Sequence, residues 1–362
     1  MELRPKKIDL YIFKKFISTF VIALLLIIAI VIIFDISEKI DDFVTNEAPL
    51  KAIIFNYYVN FIPYFINMYS PMFVFITVIF FTSRMAANSE IIAILSGGVS
   101  YHRMMVPYMV AATLIALVSL GLNLYVIPDA NATRLKFENR YVKNKSTSVR
   151  DVHYQIDPGT FVFVESFSTW NNTAYKFTLE SIEDNKLVSK LTAETAVWDS
   201  TAQGWHLKKC FIRDFNEGMG DRVRTMAEAD TVINLTVSDF YRNKQTVQTL
   251  DSENLNALID TQKMRGDANV IYAQIEKHTR TSMPFSALIL TIMGVSLSAR
   301  KKRGGIGWNV AVGIALGFSY ILFLKFSQMF VFTGTMSPAL ALWLPNFLYA
   351  IVAAVLYRMA PK

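Results

Sequence analysis

Six apolar runs, each close to the length that crosses a lipid bilayer, constrain this chain more than any other feature. A hydrocarbon core ~30 Å thick takes about 20 helical residues to span, and backbone groups inside it must be paired within the segment, so each run is read as a helix. The runs are approximately Phe16 to Phe34, Pro63 to Thr82, Met104 to Ile127, Ser282 to Ala299, Ile306 to Phe330 and Ala339 to Tyr357. Three precede a polar block and three follow it. With 53% hydrophobic and 18% charged residues in 362, the chain is too apolar for an ordinary soluble protein, yet Asn131 to Arg280 has the mixed composition of one. A membrane part and an aqueous part therefore share the chain. The first run is followed by Asp35-Ile36-Ser37-Glu38 and not by a small-residue cleavage site, so it is expected to stay as an anchor. Ala52 to Thr82 exceeds one crossing and is punctuated by Asn56, Asn60, Pro63, Asn67 and Pro71. Its first part, with Tyr57 and Tyr58, is expected at the interface, where an aromatic ring buries its body and wets its hydroxyl.

The net charge of +7 sits largely in short clusters beside the apolar runs, which points to membrane orientation and away from nucleic acid. Basic residues precede the first helix (Arg4, Lys6, Lys7, Lys14, Lys15), follow the second (Arg84, Arg103), follow the fourth (Arg300 to Arg303) and end the chain (Arg358, Lys362). The alternate connections carry only Lys39 and Lys51 among acids, and none between the last two helices. Basic loops are retained on the cytoplasmic side, so both termini are expected there and the polar block in the periplasm.

Within that block, short alternating segments are divided by turn signals at Asp157-Pro158-Gly159, Glu183-Asp184-Asn185 and Gln203-Gly204. Six or more strands are expected, among them Val152 to Ile156, Thr160 to Phe167, Lys176 to Ser181, Lys186 to Trp198, Trp205 to Phe215 and Val223 to Leu235. The pattern fits a sandwich or jelly roll. From Ser252 to Arg280 the spacing of Leu255, Leu258, Ile259 and Gln262 becomes helical, and a surface helix is expected to lead into the fourth span. The expected organisation is membrane helices 1–3 over 1–130, a β-jellyroll-like domain over 131–250, a connecting helix over 251–281 and membrane helices 4–6 over 282–362.

A search for chemistry finds little. The phosphate-binding pattern G-x-x-x-x-G-K-[ST] is absent, so any ATP-driven work needs another subunit. His102, His153, His206 and His278 lack zinc-type spacing, there is no G-x-S-x-G turn, and the single Cys210 can form no intrachain disulfide. His153 and His206 could meet across a sheet, although ordinary strand histidines are the simpler reading. No cofactor or metal is expected in this chain. Lys325 lies inside the fifth apolar run, where a charge costs roughly 2.5 to 3.5 kcal/mol and normally faces a cavity or partner; its stem could equally snorkel to the surface. Ala86 to Tyr101 reads as a short helix with Glu90 near its start and Gly97-Gly98 at its stop. Ile91, Ile92, Ile94 and Leu95 in an aqueous loop imply a docking partner.

Several separate patches resemble the LptF/LptG (YjgP/YjgQ) permeases of lipopolysaccharide export. They are Ile8-Asp9-Leu10-Tyr11-Ile12; Ser89-Glu90-Ile91-Ile92-Ala93 with Gly98-Val99-Ser100; Leu191 to Ala196 followed by Gly204-Trp205-His206-Leu207; Arg303-Gly304-Gly305 with Gly313-Ile314; and Pro338 to Asn346. Their order, with three helices, a β domain and three more helices, spans nearly the whole chain, and its length favours an LptG-like member. The resemblance implies a heterodimer with a paralogous LptF-like permease on a dimeric LptB-like cytoplasmic ATPase. Such a complex extracts lipopolysaccharide from the inner membrane and passes it to LptC/LptA-like periplasmic β-jellyroll bridge proteins. It further implies that Glu90, Ile91, Ile94, Leu95 and Gly98 couple to the ATPase. Family members often place basic residues near the outer end of the first helix for lipid A phosphates. Here Asp41 and Asp42 accompany only Lys39, so Lys325, Lys39 and Lys51 are the candidate phosphate contacts. A membrane sensor with a ligand-binding β domain is the alternative, and it would require a cytoplasmic output domain.

Overall fold

The computed structural model describes residues 6–142, 148–215, 220–240, 244–267, 269–299 and 305–360. The chain divides into two compact units: residues 1–137 with 274–362, and residues 138–273.

Among the described residues the first unit holds six helices long and apolar enough to cross a membrane. They are α1 (Lys7–Thr45), α2 (Leu50–Ala87) and α4 (Tyr101–Tyr141), then α8 (Val270–Ser298), α9 (Gly305–Phe332) and α10 (Pro338–Met359). The short α3 (Glu90–Ser96) lies between α2 and α4. Every expected run falls inside one helix, but most helices extend well past the apolar stretch. The polar Ile127–Tyr141 segment continues α4, and the stretch expected at the interface continues α2 through a π-helical turn at Ile53–Tyr58. The basic cluster Arg300 to Arg303 lies outside the described residues.

In this unit apolar side chains face outward as well as inward, and polar ones are buried among them. Leu25, Ile33 and Ile351 are more than three-fifths exposed, as hydrocarbon solvent allows, while Asn67, Asn123, Asn309 and Asn346 are buried. Proline explains part of this. Pro284 has no N–H for the carbonyl of Arg280 four residues earlier, and Asn123 donates to that carbonyl at 3.3 Å. Pro345 likewise orphans the carbonyl of Ala341, which accepts from the Ser327 hydroxyl. A buried side chain from a neighbouring helix thus answers each broken backbone bond and links the two helices. Asn123 joins Asn67 at 2.6 Å, and Asn67 accepts from Ser119 at 2.5 Å. Asn346 accepts from Tyr320 at 2.9 Å and donates to the Ser282 carbonyl at 2.8 Å. Close approach does the rest: a Cβ at Gly313 would sit 2.6 Å from Ile79, and one at Gly294 3.0 Å from Val78. Small residues therefore let α9 and α8 lie against α2.

The second unit is one six-stranded antiparallel sheet in the order β1 (Ser148–Asp157), β2 (Thr160–Ser168), β3 (Thr173–Glu183), β4 (Lys186–Asp199), β5 (Gly204–Asp214), β6 (Arg222–Thr231). Alternation left sandwich and jelly roll open; the observed topology is a plain meander, with β1 and β6 as its edges. The sheet is creased along a single row. Inward residues step by three instead of two at Val149/Val152, Val164/Phe167, Ala174/Phe177, Ala193/Ala196 and Leu207/Cys210, and these rows pair across all five strands. Asp151, Lys176 and Lys209, on alternate strands of the crease, take left-handed φ near 50°. A conformation this uncommon for a side-chain-bearing residue persists only where its surroundings hold it. Lys176 pairs with Glu165 and Lys209 with Glu194 along the same row.

The crease keeps one face apolar throughout, and that face is closed by the segment that follows β6. Phe240, in α5 (Val237–Phe240), stacks on Phe167 with ring centroids 4.1 Å apart, and Trp205 donates its Nε1–H to the Leu235 carbonyl at 2.8 Å. Arg265 holds Asp239 at 2.9 Å. After α6 (Lys244–Val247), the helix expected to run into the fourth span is instead two helices. Helix α7 (Ser252–Met264) ends in a turn at Arg265 and at Gly266, whose φ is +63°, before α8 begins. Leu255, Leu258 and Ile259 of α7 pack with Val247 and Ala273 in a small core of their own.

Candidate functional site

The strongest site feature is the α3 hairpin. Ser89, with φ of 64°, turns the chain sharply out of α2, and Glu90 opens α3. The helix stops in a Schellman arrangement. Gly98 takes φ of 83°, its N–H bonds the Leu95 carbonyl at 3.0 Å, and the Val99 N–H reaches back to Ile94 at 3.3 Å. Gly98 therefore sets the length of α3. Ile91 is 1% exposed and belongs to the bundle core, and Ile94 and Leu95 pack partly against that core. Ile91 consequently fastens α3 to the bundle, and the exposed large apolar side chain is Ile92, at 54%.

Glu90 is held from inside the chain. The Tyr11 hydroxyl donates to Glu90 Oε2 at 2.9 Å, and Asn88 approaches Oε1 at 3.4 Å. Two residues earlier on α1, Asp9 accepts both terminal nitrogens of Arg103, at 2.8 and 2.5 Å. A bidentate pair of this kind is strong and directional. The two contacts tie the start of α1 to both ends of the α3 hairpin. Sequence reasoning passed over Tyr11, Asp9 and Arg103, whose partners lie 79 and 94 positions away.

The three candidate phosphate contacts differ. Lys39 pairs with Asp35 at 2.6 Å, lies 4.7 Å above the Tyr57 ring and bonds its hydroxyl, while Tyr58 donates to the other Asp35 oxygen at 3.1 Å. Its charge is answered within the chain. Lys51 is exposed at the start of α2. Lys325 is exposed on α9 beside the exposed Leu322, Phe326 and Met329, seven residues (about 10 Å of helix) before the end of α9 at Phe332. Two buried arginines were not anticipated. Arg134 lies 4.8 Å from the Tyr64 ring, and Arg280 bonds Glu276 at 3.0 Å with a side chain 4% exposed. The i,i+4 spacing of Glu276 and Arg280 was the available signal for the latter.

In the β unit, His153 packs on Phe163 at 4.4 Å and His206 bonds Asp230 at 2.6 Å; with three strands between β1 and β5 the two do not meet. Burial pushes the Cys210 thiol pKa up. Among the described residues no cluster of three or more His, Cys, Asp or Glu side chains could hold a metal.

The structure thus brings together a buried polar network between helices, one creased sheet inserted between the third and fourth span, and a short hairpin helix tied to the first span. Residues 10–359 match the family described as lipopolysaccharide export system permease LptF/LptG. The chain belongs to the LptF/LptG family. LptF/LptG permeases are transport subunits and not catalytic ones, and the six apolar helices make this a multi-pass inner-membrane protein. No curated protein sequence matches the chain.

Proposed function

We propose that this permease, an LptG-like member, pairs with an LptF-like paralogue on a dimeric cytoplasmic ATPase, extracts lipopolysaccharide from the inner membrane and hands it to periplasmic β-jellyroll proteins. The observation that carries the reading is the family match across 10–359. It is supported by the α3 hairpin, which offers Glu90, Ile92 and the partly exposed Ile94 and Leu95 to a partner. Ile91 and Gly98 contribute by fixing where that surface stands. In the proposed orientation the termini and α3 are cytoplasmic, and the β unit is periplasmic, from the asymmetry of basic residues. A thiol at the exposed Asn171 should then label only from the periplasm, with the buried Cys210 giving little background; labelling only from the cytoplasm would reverse the topology.

Lipid phosphates are met by Lys325 and Lys51, which stand exposed, and by Lys39 only when it leaves Asp35. The edge strands would extend the sheet into a neighbouring β domain by strand pairing, β6 more readily than β1, whose Gln155 N–H already bonds the Arg265 carbonyl at 3.3 Å. Isolation of the intact complex from membranes tests the whole assignment. An ATPase, a second permease and bound lipopolysaccharide are expected to co-purify; recovery of the chain with none of the three would refute it.

A further inference from the structure

The α3 hairpin touches the first membrane helix at two places of different character. Asp9 and Arg103 form a bidentate ion pair in which both side chains are mostly buried, at 13% and 24% exposure. Such a pair is stiff, because two parallel bonds fix both distance and orientation. Tyr11 and Glu90 share a single hydrogen bond at 2.9 Å on the exposed side, with Tyr11 41% exposed. A single bond can turn about its axis while keeping its length. Asp9 and Tyr11 sit two positions apart on α1, so the helix start is gripped by Arg103 of α4 and by Glu90 of α3.

The geometry points to Tyr11 as a positioning residue that relays displacement of α3 to α1. Its hydroxyl fixes one oxygen of the Glu90 carboxylate at 2.9 Å, and the other accepts from the Asn88 amide at 3.4 Å. A push on α3 moves Glu90 and through it the first turns of α1, while the Asp9–Arg103 pair acts as the pivot. Ile91 fastens α3 to a bundle core that includes Ile12 and Phe16 of α1; among the described residues the Tyr11 bond adds a polar link from α3 to α1 itself. This inference rests on the proposed docking of an ATPase at α3.

The test uses the intact complex in proteoliposomes, with lipid released and ATP hydrolysed measured together. Tyr11→Phe keeps the ring and removes the donor. The expected result is a drop of about fivefold in lipid released per ATP, the fold-change of a net hydrogen bond of ~1 kcal/mol, with the ATPase still co-purifying. Asp9→Asn should instead lower the thermal stability of the complex more than it lowers that ratio. An unchanged ratio in Tyr11→Phe overturns the relay, and so does loss of ATPase association, which would make Tyr11 a docking residue. Glu90→Lys separates this from the underlying reading: if it leaves association and the ratio intact, docking at α3 itself fails, whatever Tyr11 does.

Discussion

Both units bury large apolar side chains, but they differ in what faces outward and in how many polar groups are buried with them. In the β unit the closed face is apolar, with Phe167, Phe177, Trp205 and Leu207 at 0 to 1% exposure, and charges line the outer crease. In the membrane unit large apolar side chains point outward, and asparagines, serines and tyrosines link the helices. The difference follows from the solvent. Water drives apolar surface inward at roughly 25 cal/mol per Å², whereas lipid is as apolar as leucine and leaves packing and interhelical hydrogen bonds to hold helices together. Large apolar side chains such as Phe75, Val78 and Phe81 pack between the membrane helices too, and small polar contacts add links there that the β unit does not need.

The largest expected effect comes from Trp205→Ala. It empties a fully buried site, breaks the bond to the Leu235 carbonyl and removes the ring that packs on Phe167 and Phe177. A loss of about 3 to 5 kcal/mol is expected, confined to the β unit and read by faster proteolysis between 148 and 267 with helical circular dichroism unchanged. If the membrane helices melt at the same reduced temperature, the two units are one cooperative body and the comparison breaks.

A smaller effect is expected for Asn346→Leu. The substitution is apolar for polar in a helix, harmless by any hydropathy measure, yet it removes the bond from the Tyr320 hydroxyl and the bond to the Ser282 carbonyl that link three helices. Thermal unfolding in mild detergent should show a loss of about 1 to 2 kcal/mol, whereas Ile33→Ala, at a side chain 66% exposed, should change stability by less than ~0.5 kcal/mol. Equal losses from both would mean that apolar burial and not polar linkage holds the bundle.

The same contrast explains what could be read in the sequence. All six spans were legible because bilayer thickness fixes run length, and six strands because alternation and Asp-Asn or Pro-Gly turns mark them. The crease was not anticipated. A three-residue step such as Ala174 to Phe177 looks, in one strand, like the ordinary end of alternation, and only pairing shows that it recurs in every neighbour. The continuation of α4 to Tyr141 was hidden because Asp129, Arg134 and Lys136 end the apolar run without ending the helix. At the site, Glu90 and Gly98 were visible from helix start and stop chemistry. Ile91's burial and Tyr11's bond to Glu90 were not, since the first depends on how several helices assemble and the second on a partner 79 positions away.

The central claim is that this chain helps to move lipopolysaccharide out of the membrane at the expense of ATP hydrolysed elsewhere. It is tested most directly by reconstituting the chain with its co-purifying permease and ATPase in lipopolysaccharide-loaded vesicles and measuring lipid captured by a soluble β-jellyroll acceptor. Transfer that requires ATP, this chain and the acceptor together is the predicted result. ATP hydrolysis with no lipid captured, or equal capture when this chain is omitted, would contradict the account.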